Sequence, residues 1–455
     1  MTKKFLILLF LCVTCALHAA NYLTFTAEAD SSSFGIHSEW GNNPDVQCSL
    51  DGGKTWTKLI NDSLISLPKK KKSLLRGYNP QGISRDYGEV TRFVMTGRIA
   101  ASGSIMSLID GNGESLVIPG KYCFRSLFKG CTSLTEAPQL PAKTMARGCY
   151  AGMFSGCASL TKAPKLPAKA LARDCYGGMF MGCERLTEAP DLPATTLEEV
   201  CYEEMFSGCT SLTKAPKLPA KTLTKGCYEF MFFGCSNLTQ IPELPATQLA
   251  DSCYFEMFAS TNITQAPKLP ATTLARGCYA EMFGWCTNLT QATQLPATTL
   301  AEGCYAAMFG MCTNLTQAPE LPATKLANWC YHKMFFGCTY LTQAPQLPAT
   351  TLAEGCYEDM FRECTNITQA PELPATTLAK ECYTGMFNGC SKLSEIKVGF
   401  TDWGKEYEIY NGETTSNTLN WLSDVAPNGK FICPKGLPKE VGESRIPKGW
   451  KTVDN

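Results

Sequence analysis

The chain has 455 residues, with 41 basic and 41 acidic side chains and no net charge, so no overall field draws it to nucleic acid or an acidic membrane. After the first twenty residues, no stretch approaches the roughly 18 apolar residues that span a bilayer. The 25 cysteines pose a choice between disulfides, metal ligands and buried thiols, and their spacing bears on it.

Residues 1–20 read as an export signal: Lys3 and Lys4, the apolar run Phe5 to Val13, then small residues up to Ala19 and Ala20. Neither Cys12 nor Cys15 follows a small residue, so no lipid anchor is expected. The mature protein is expected outside the inner membrane, secreted, at the cell surface or in a periplasm.

Residues 21–120 alternate apolar and polar side chains, as in Tyr22 to Ala27 and Thr91 to Thr96, with turn signals at Asp51-Gly52-Gly53 and Asp110-Gly111-Asn112-Gly113. A small all-β domain is expected, of sandwich type, that caps the next segment of the chain or is presented by it. Lys69 to Lys72 reads as a solvated turn. Ser49 to Trp56 fits the Asp-box pattern S-x-D-x-G-x-T-W, a folded hairpin turn and not a catalytic group.

From Cys123 to the copy that opens at Cys382, eleven copies of a unit C-Y-x-x-M-F-x-G-C-T-x-L-T-x-A-P-x-L-P-A-T-T-L-A-x-G follow one another with a period of 26 residues, save one 25-residue copy at Cys253. A fixed period in this range predicts a solenoid, here over 121–396, in which a lone coil cannot bury its apolar side chains and stacking must do so. Cys149, Met153 and Cys157 are spaced i, i+4, i+8, which predicts a short helical turn stopped by Gly156. Leu160, Ala163 and Leu166 then form a short extended strand that Pro164 and Pro167 keep from becoming a long ladder.

The second repeat cysteine is missing from the copy at Cys253, which keeps its first. A disulfide within each coil would leave Cys253 spare, so free buried thiols are the expectation, with bridges between neighbouring coils as the alternative. The regular eight-residue separation is not a zinc-knuckle spacing. Only His37 and His332 follow the signal, and the chain has no phosphate-cradling glycine loop or nucleophile elbow, so no cofactor, metal or catalytic role is expected.

Every coil presents the same scaffold, so information must lie where it varies. The residue after Leu-Thr or Ile-Thr reads Glu136, Lys162, Glu188, Lys214, Gln240, Gln265, Gln291, Gln317, Gln343 and Gln369, a candidate binding strip that otherwise only solubilises and knits the stack. A second polar position runs from Gln139 and Lys165 to Gln346 and Glu372. Tyr150, Tyr176, Tyr202, Tyr228, Tyr254, Tyr279, Tyr305, Tyr331, Tyr357 and Tyr383 form a candidate aromatic row, a stacking platform or packed flank residues. The Asn-x-Thr sequons at Asn237, Asn262, Asn288, Asn314 and Asn366 share one repeat position and are not expected to carry glycans. Residues 397–455, with Trp403, Trp421, Trp450 and Cys433, are expected to cover the last coil.

The run M-F-x-G-C-x-x-L-T, as in Met153 to Thr161 and Met205 to Thr213, resembles the BspA-like leucine-rich repeats of bacterial surface proteins and the related bacterial surface protein 26-residue repeat, over about residues 121 to 396. The resemblance implies a leucine-rich-repeat solenoid on a secreted or surface protein of a host-associated bacterium, engaged in adhesion to a host matrix protein, mucin or glycan. The alternatives are a structural spacer presenting the N-terminal domain and, more remotely, an accessory module of a glycan-active enzyme. The chain departs from the usual repeat in its Ala-Pro-x-Leu-Pro segment and in Cys-Tyr where Ile-Gly is common.

Overall fold

The computed structural model describes residues 20–39, 42–408 and 414–455. The export signal expected over 1–20 lies, apart from Ala20, outside them. Strands β1 (Leu23–Ala27), β2 (Ser32–Ser38), β3 (Gln47–Ser49), β4 (Thr57–Lys58), β5 (Leu64–Leu67), β6 (Lys72–Arg76), β7 (Thr91–Thr96) and β8 (Ile99–Ser102) build the N-terminal domain. The alternation read from Tyr22 to Ala27 places Leu23, Phe25 and Ala27 inward, and the sheet β5-β2-β7 meets β1 through Phe25, which lies 5.2 Å from Phe34 and 5.0 Å from Phe93. The Asp-box is the β3–β4 turn: the Asp51 carboxylate accepts from the Lys54 and Thr55 amides and from the Ser49 and Thr55 hydroxyls. Those donors hold its pKa well below the ordinary carboxylate value.

This domain is continuous with the repeats. Strand β9 (Leu134–Glu136), in the first coil, pairs parallel with β8 and completes the sheet β4-β3-β6-β1-β8-β9. Phe128 of the first coil packs 5.2 Å from Phe93, and the Phe93 amide donates to the Leu127 carbonyl. The apolar end of the stack is thereby covered, because the domain supplies the neighbour that every later coil finds in the coil before it.

Each coil is built differently from the expected helical turn. The only α-helix among the described residues is α1 (Ser107–Asp110), ahead of the repeats. In the second coil every residue from Gly148 to Ala158 donates its amide. Cys149, Ala151, Met153, Ser155 and Cys157 donate to the carbonyl three residues back, while Gly148, Tyr150, Gly152, Phe154 and Gly156 donate to Arg173, Cys175, Gly177, Met179 and Met181 of the next coil. The segment is a ribbon of consecutive turns, half of its amides closing the turns and half stitching coil to coil. A helix is excluded because every fourth residue is left-handed: φ is 59° at Gly148, 60° at Gly152 and 73° at Gly156. The same three places are left-handed in the other coils even where glycine is replaced, as at Val200, Glu204, Phe230, Glu256 and Trp285.

Between the first and last coils the chain after each ribbon is extended and makes at most isolated parallel bridges, such as Lys162 to Glu188, Lys214 to Gln240 and Gln291 to Gln317. Prolines remove the amides that a continuous ladder needs. The interior is a set of columns. Phe154, Phe180, Phe206 and their counterparts stack with ring centroids 5.4–6.0 Å apart, beside columns of methionine and of both cysteines, all buried.

At the other end, β10 (Glu395–Lys397) is succeeded by β11 (Glu406–Glu408), which pairs with β12 (Thr414–Ser416). Strands β13 (Lys430–Cys433) and β14 (Lys451–Asp454) join β10 in a parallel sheet. Residues 417–424 repeat the ribbon: Tyr383, Gly385, Phe387 and Gly389 donate to Asn417, Leu419, Trp421 and Ser423, and Asn420 and Asp424 are left-handed. Trp421 stacks 6.2 Å from Tyr383 and takes the place of a further aromatic in that column.

Candidate functional site

The strip expected from the sequence lies on the extended face. Glu136, Lys162, Glu188, Lys214, Gln240, Gln265, Gln291, Gln317, Gln343 and Gln369 are all exposed. Most of their backbones are held coil to coil, Glu136 in β9 and others by isolated bridges or by bonds such as Ala215 N–H to the Gln240 carbonyl at 2.8 Å. The Gln369 side-chain amide donates to Glu395 at 3.1 Å. The strip continues beyond the repeats through the register Glu395, Lys430 and Lys451.

Between neighbouring coils this face is grooved, because the prolines hold the Ala-Pro-x-Leu-Pro segments apart from a closed sheet. One groove of 710 Å³ is lined by Gln317, Glu320, Gln343 and Gln346 with Pro319, Leu321 and Pro345. A second, of 480 Å³, runs from Gln343 and Gln369 to Ile396 and Ile432, and a third holds Lys162, Lys165, Glu188 and Asp191. Each is lined by amide or charged side chains together with alanine, proline or other apolar ones, a chemistry suited to polar polymers with apolar faces.

The tyrosine row is not on the surface, and its reading as a stacking platform is corrected. Tyr150, Tyr176, Tyr202, Tyr228, Tyr254, Tyr279, Tyr305, Tyr331, Tyr357 and Tyr383 are at most 2% exposed, with ring centroids 5.6–6.0 Å apart and nearly parallel planes. Each ring is sandwiched between aromatic rings on either side, with Phe124 beyond Tyr150 and Trp421 beyond Tyr383 closing the row, so no ligand reaches it. Burial drives the phenol pKa values up, and the Tyr150, Tyr176 and Tyr279 hydroxyls have no hydrogen-bond partner among the described residues.

The cysteines from Cys48 to Cys433 are all free and buried. The second repeat cysteine ties neighbouring coils together. Cys157, Cys183, Cys209 and Cys235 donate their thiols to the Phe128, Phe154, Phe180 and Phe206 carbonyls of the preceding coil at 3.0–3.1 Å. In the copy at Cys253, Thr261 stands in that place and its hydroxyl turns to Phe258 of its own coil at 2.7 Å. Burial pushes Cys149 and Cys183 up to about 12, which removes the thiolate that reacts or binds metal. No group of three His, Cys, Asp or Glu among the described residues is placed to hold a metal ion.

The family model described as BspA type leucine rich repeat region (6 copies) matches residues 150–290, 202–342 and 309–407, together more than half of the chain. The chain belongs to this family. No curated protein and no solved structure matches it. No helix among the described residues is long and apolar enough to cross a membrane.

Sequence reasoning overlooked the outer edge of the turn ribbons. The two residues after each Cys-Tyr and the two after each Met-Phe vary most, and they bring Phe230, Phe233, Phe255 and Trp285 together with several glutamates on the outside of the middle coils. The signal was there to find, since Phe233 and Trp285 stand where other coils carry serine and glycine.

Proposed function

We propose that this chain is an exported, non-catalytic adhesion protein of a host-associated bacterium, a solenoid of about eleven repeats closed at both ends. It recognises a host matrix protein, mucin or glycan through the extended strip. The observation that carries this reading is the exposed ladder of polar side chains set over grooves, on a scaffold whose recurring cysteine, tyrosine, methionine and phenylalanine side chains are buried. The family membership supports a protein-binding role and a surface location.

The test is binding of the protein to a panel of matrix proteins, mucins and glycans. Replacing Gln291, Gln317 and Gln343 together with alanine is expected to weaken any saturable binding about ten-fold and to leave thermal unfolding unchanged. Affinity untouched by the triple replacement counts against the strip.

A second reading makes the stack a spacer that presents the N-terminal domain. It draws support from the continuous sheet through β8 and β9, which joins domain and stack without a linker. That continuity also means that residues 21–120 taken alone lose the partner of Phe93. The spacer reading is therefore better tested by surface replacements in the intact chain, such as Leu64→Lys and Tyr78→Ala at exposed positions of the domain; binding lost there and kept in the strip variant supports it.

A further inference from the structure

The outer edge of the turn ribbons is built from four columns, two residues after Cys-Tyr and two after Met-Phe. Where these columns carry acids near the C-terminal end of the stack, a base answers them: His332 lies 3.3 Å from Glu358, and Arg362 reaches Asp359 and Glu363 at 3.6 and 3.8 Å. In the middle coils Glu203, Glu204, Glu229, Glu256 and Glu281 have no ion-pair partner among the described residues. They crowd one another instead. Glu204 donates its amide to the Glu229 carbonyl at 2.9 Å, which sets the two side chains on adjacent coils.

Set among these acids is an apolar patch. Phe230 occupies the column position between Glu204 and Glu256, and lies 5.9 Å from Phe233 and 5.2 Å from Phe255. Phe233 is 37% and Trp285 57% exposed, although phenylalanine and tryptophan elsewhere in the repeats stand mostly inside. Exposed aromatics and unpaired half-buried carboxylates both raise the free energy of the isolated protein, and one kind of occupant relieves both. Long cationic side chains lay alkyl stems on aromatic faces and put their charged heads among carboxylates.

We propose that the turn edge of the coils opening at Cys201, Cys227, Cys253 and Cys278 docks a cationic, lysine- or arginine-bearing polypeptide segment, with stems on Phe230 and Phe233 and heads on Glu204, Glu229 and Glu256. A second copy meeting the same patch face to face would press carboxylate against carboxylate, which favours a basic partner over self-association. Of nearby bases, Lys225 acts on Glu229, and Lys333 and His332 act on Glu281; Asp174 adds further negative charge at Glu203. Burial and the neighbouring acids raise Glu203 and Glu256 to about 7, so a bound cation expels protons from this surface near neutral pH. The surface is distinct from the extended strip, and the proposal stands or falls independently of it.

The probe is a synthetic peptide of alternating lysine and leucine, titrated calorimetrically into the full chain in two buffers of different ionisation enthalpy, with a glutamate–leucine peptide as control. Saturable binding of the lysine peptide alone is expected, with proton release at pH 7. Glu204→Gln, Glu229→Gln and Glu256→Gln together are expected to weaken it about ten-fold or more, and Phe230→Ala with Phe233→Ala to do likewise. The glutamine variant keeps side-chain size and removes like-charge repulsion, so its melting temperature equals or exceeds that of the parent and loss of binding is not loss of fold. Four results overturn the proposal: no binding by the folded parent, full affinity in the glutamine variant, loss of binding in the Gln291, Gln317 and Gln343 alanine variant instead, or sedimentation showing that the patch joins copies of the chain, for example through Lys69 to Lys72.

Discussion

The two outer surfaces of the stack are made by opposite means. On the extended face the backbone is loosely joined, with prolines and isolated bridges, while the sequence is nearly uniform and offers one or two polar side chains per coil. On the turn edge the backbone is fully bonded, with every amide from Gly148 to Ala158 committed, while the side chains range from glycine to glutamate, phenylalanine and tryptophan. The difference teaches that cohesion and variation need not trade off: a ribbon whose backbone carries the stack leaves its outward side chains free to change.

The largest effect is expected inside. Phe206→Ala opens a cavity between Phe180 and Phe232, 5.7 and 5.5 Å away, and should lower stability by about 3–5 kcal/mol, read by denaturant unfolding. Thiol titration comes next: the folded chain should leave the 23 thiols from Cys48 to Cys433 unmodified, and all should react once it is unfolded. Fewer reactive thiols in the unfolded protein would mean disulfides and break the account of the cysteine columns.

A smaller effect separates the turn edge from the extended face. The Glu203 and Glu256 pKa values are raised from an ordinary 4.5 to about 7, so the fold binds protons more tightly than the unfolded chain does. These two groups support the fold below about pH 4.5, and that contribution is lost as pH rises through about 7. The melting temperature should therefore fall by about 2–4 °C between pH 5 and pH 7.5, and Glu203→Gln with Glu256→Gln should flatten the profile. Replacing the strip glutamines should not. Least of all, Val200→Gly removes a β-branched residue at φ 49° and should raise stability by about 0.5 kcal/mol after the flexibility of glycine is counted.

Much of this architecture was legible in the sequence. The period, the buried methionine, phenylalanine and cysteine positions, the extended segment broken by Pro164 and Pro167, and the free thiols argued from Cys253 all follow from spacing and composition. The helical turn did not survive, because a spacing of i, i+4, i+8 is shared by a helix and by a chain of turns with a left-handed residue every fourth place. Gly148, Gly152 and Gly156 carried the distinguishing signal, but Val200, Glu204 and Phe230 hide it in other coils. The tyrosines were ambiguous because a phenol packs as readily as it faces water. The patch around Phe230 is harder to see because its aromatics are confined to a few coils, whereas the strip on the extended face recurs in every one.

Hydrogen exchange resolved by peptide mass spectrometry tests the contrast between the two faces most directly. The account predicts strong protection throughout ribbon segments such as 148–158, 174–184 and 200–210, with faster exchange in the intervening segments such as 161–170 and 187–194, where few amides are bonded. Equal protection along the whole repeat, or faster exchange in the ribbons than in the extended segments, would contradict it.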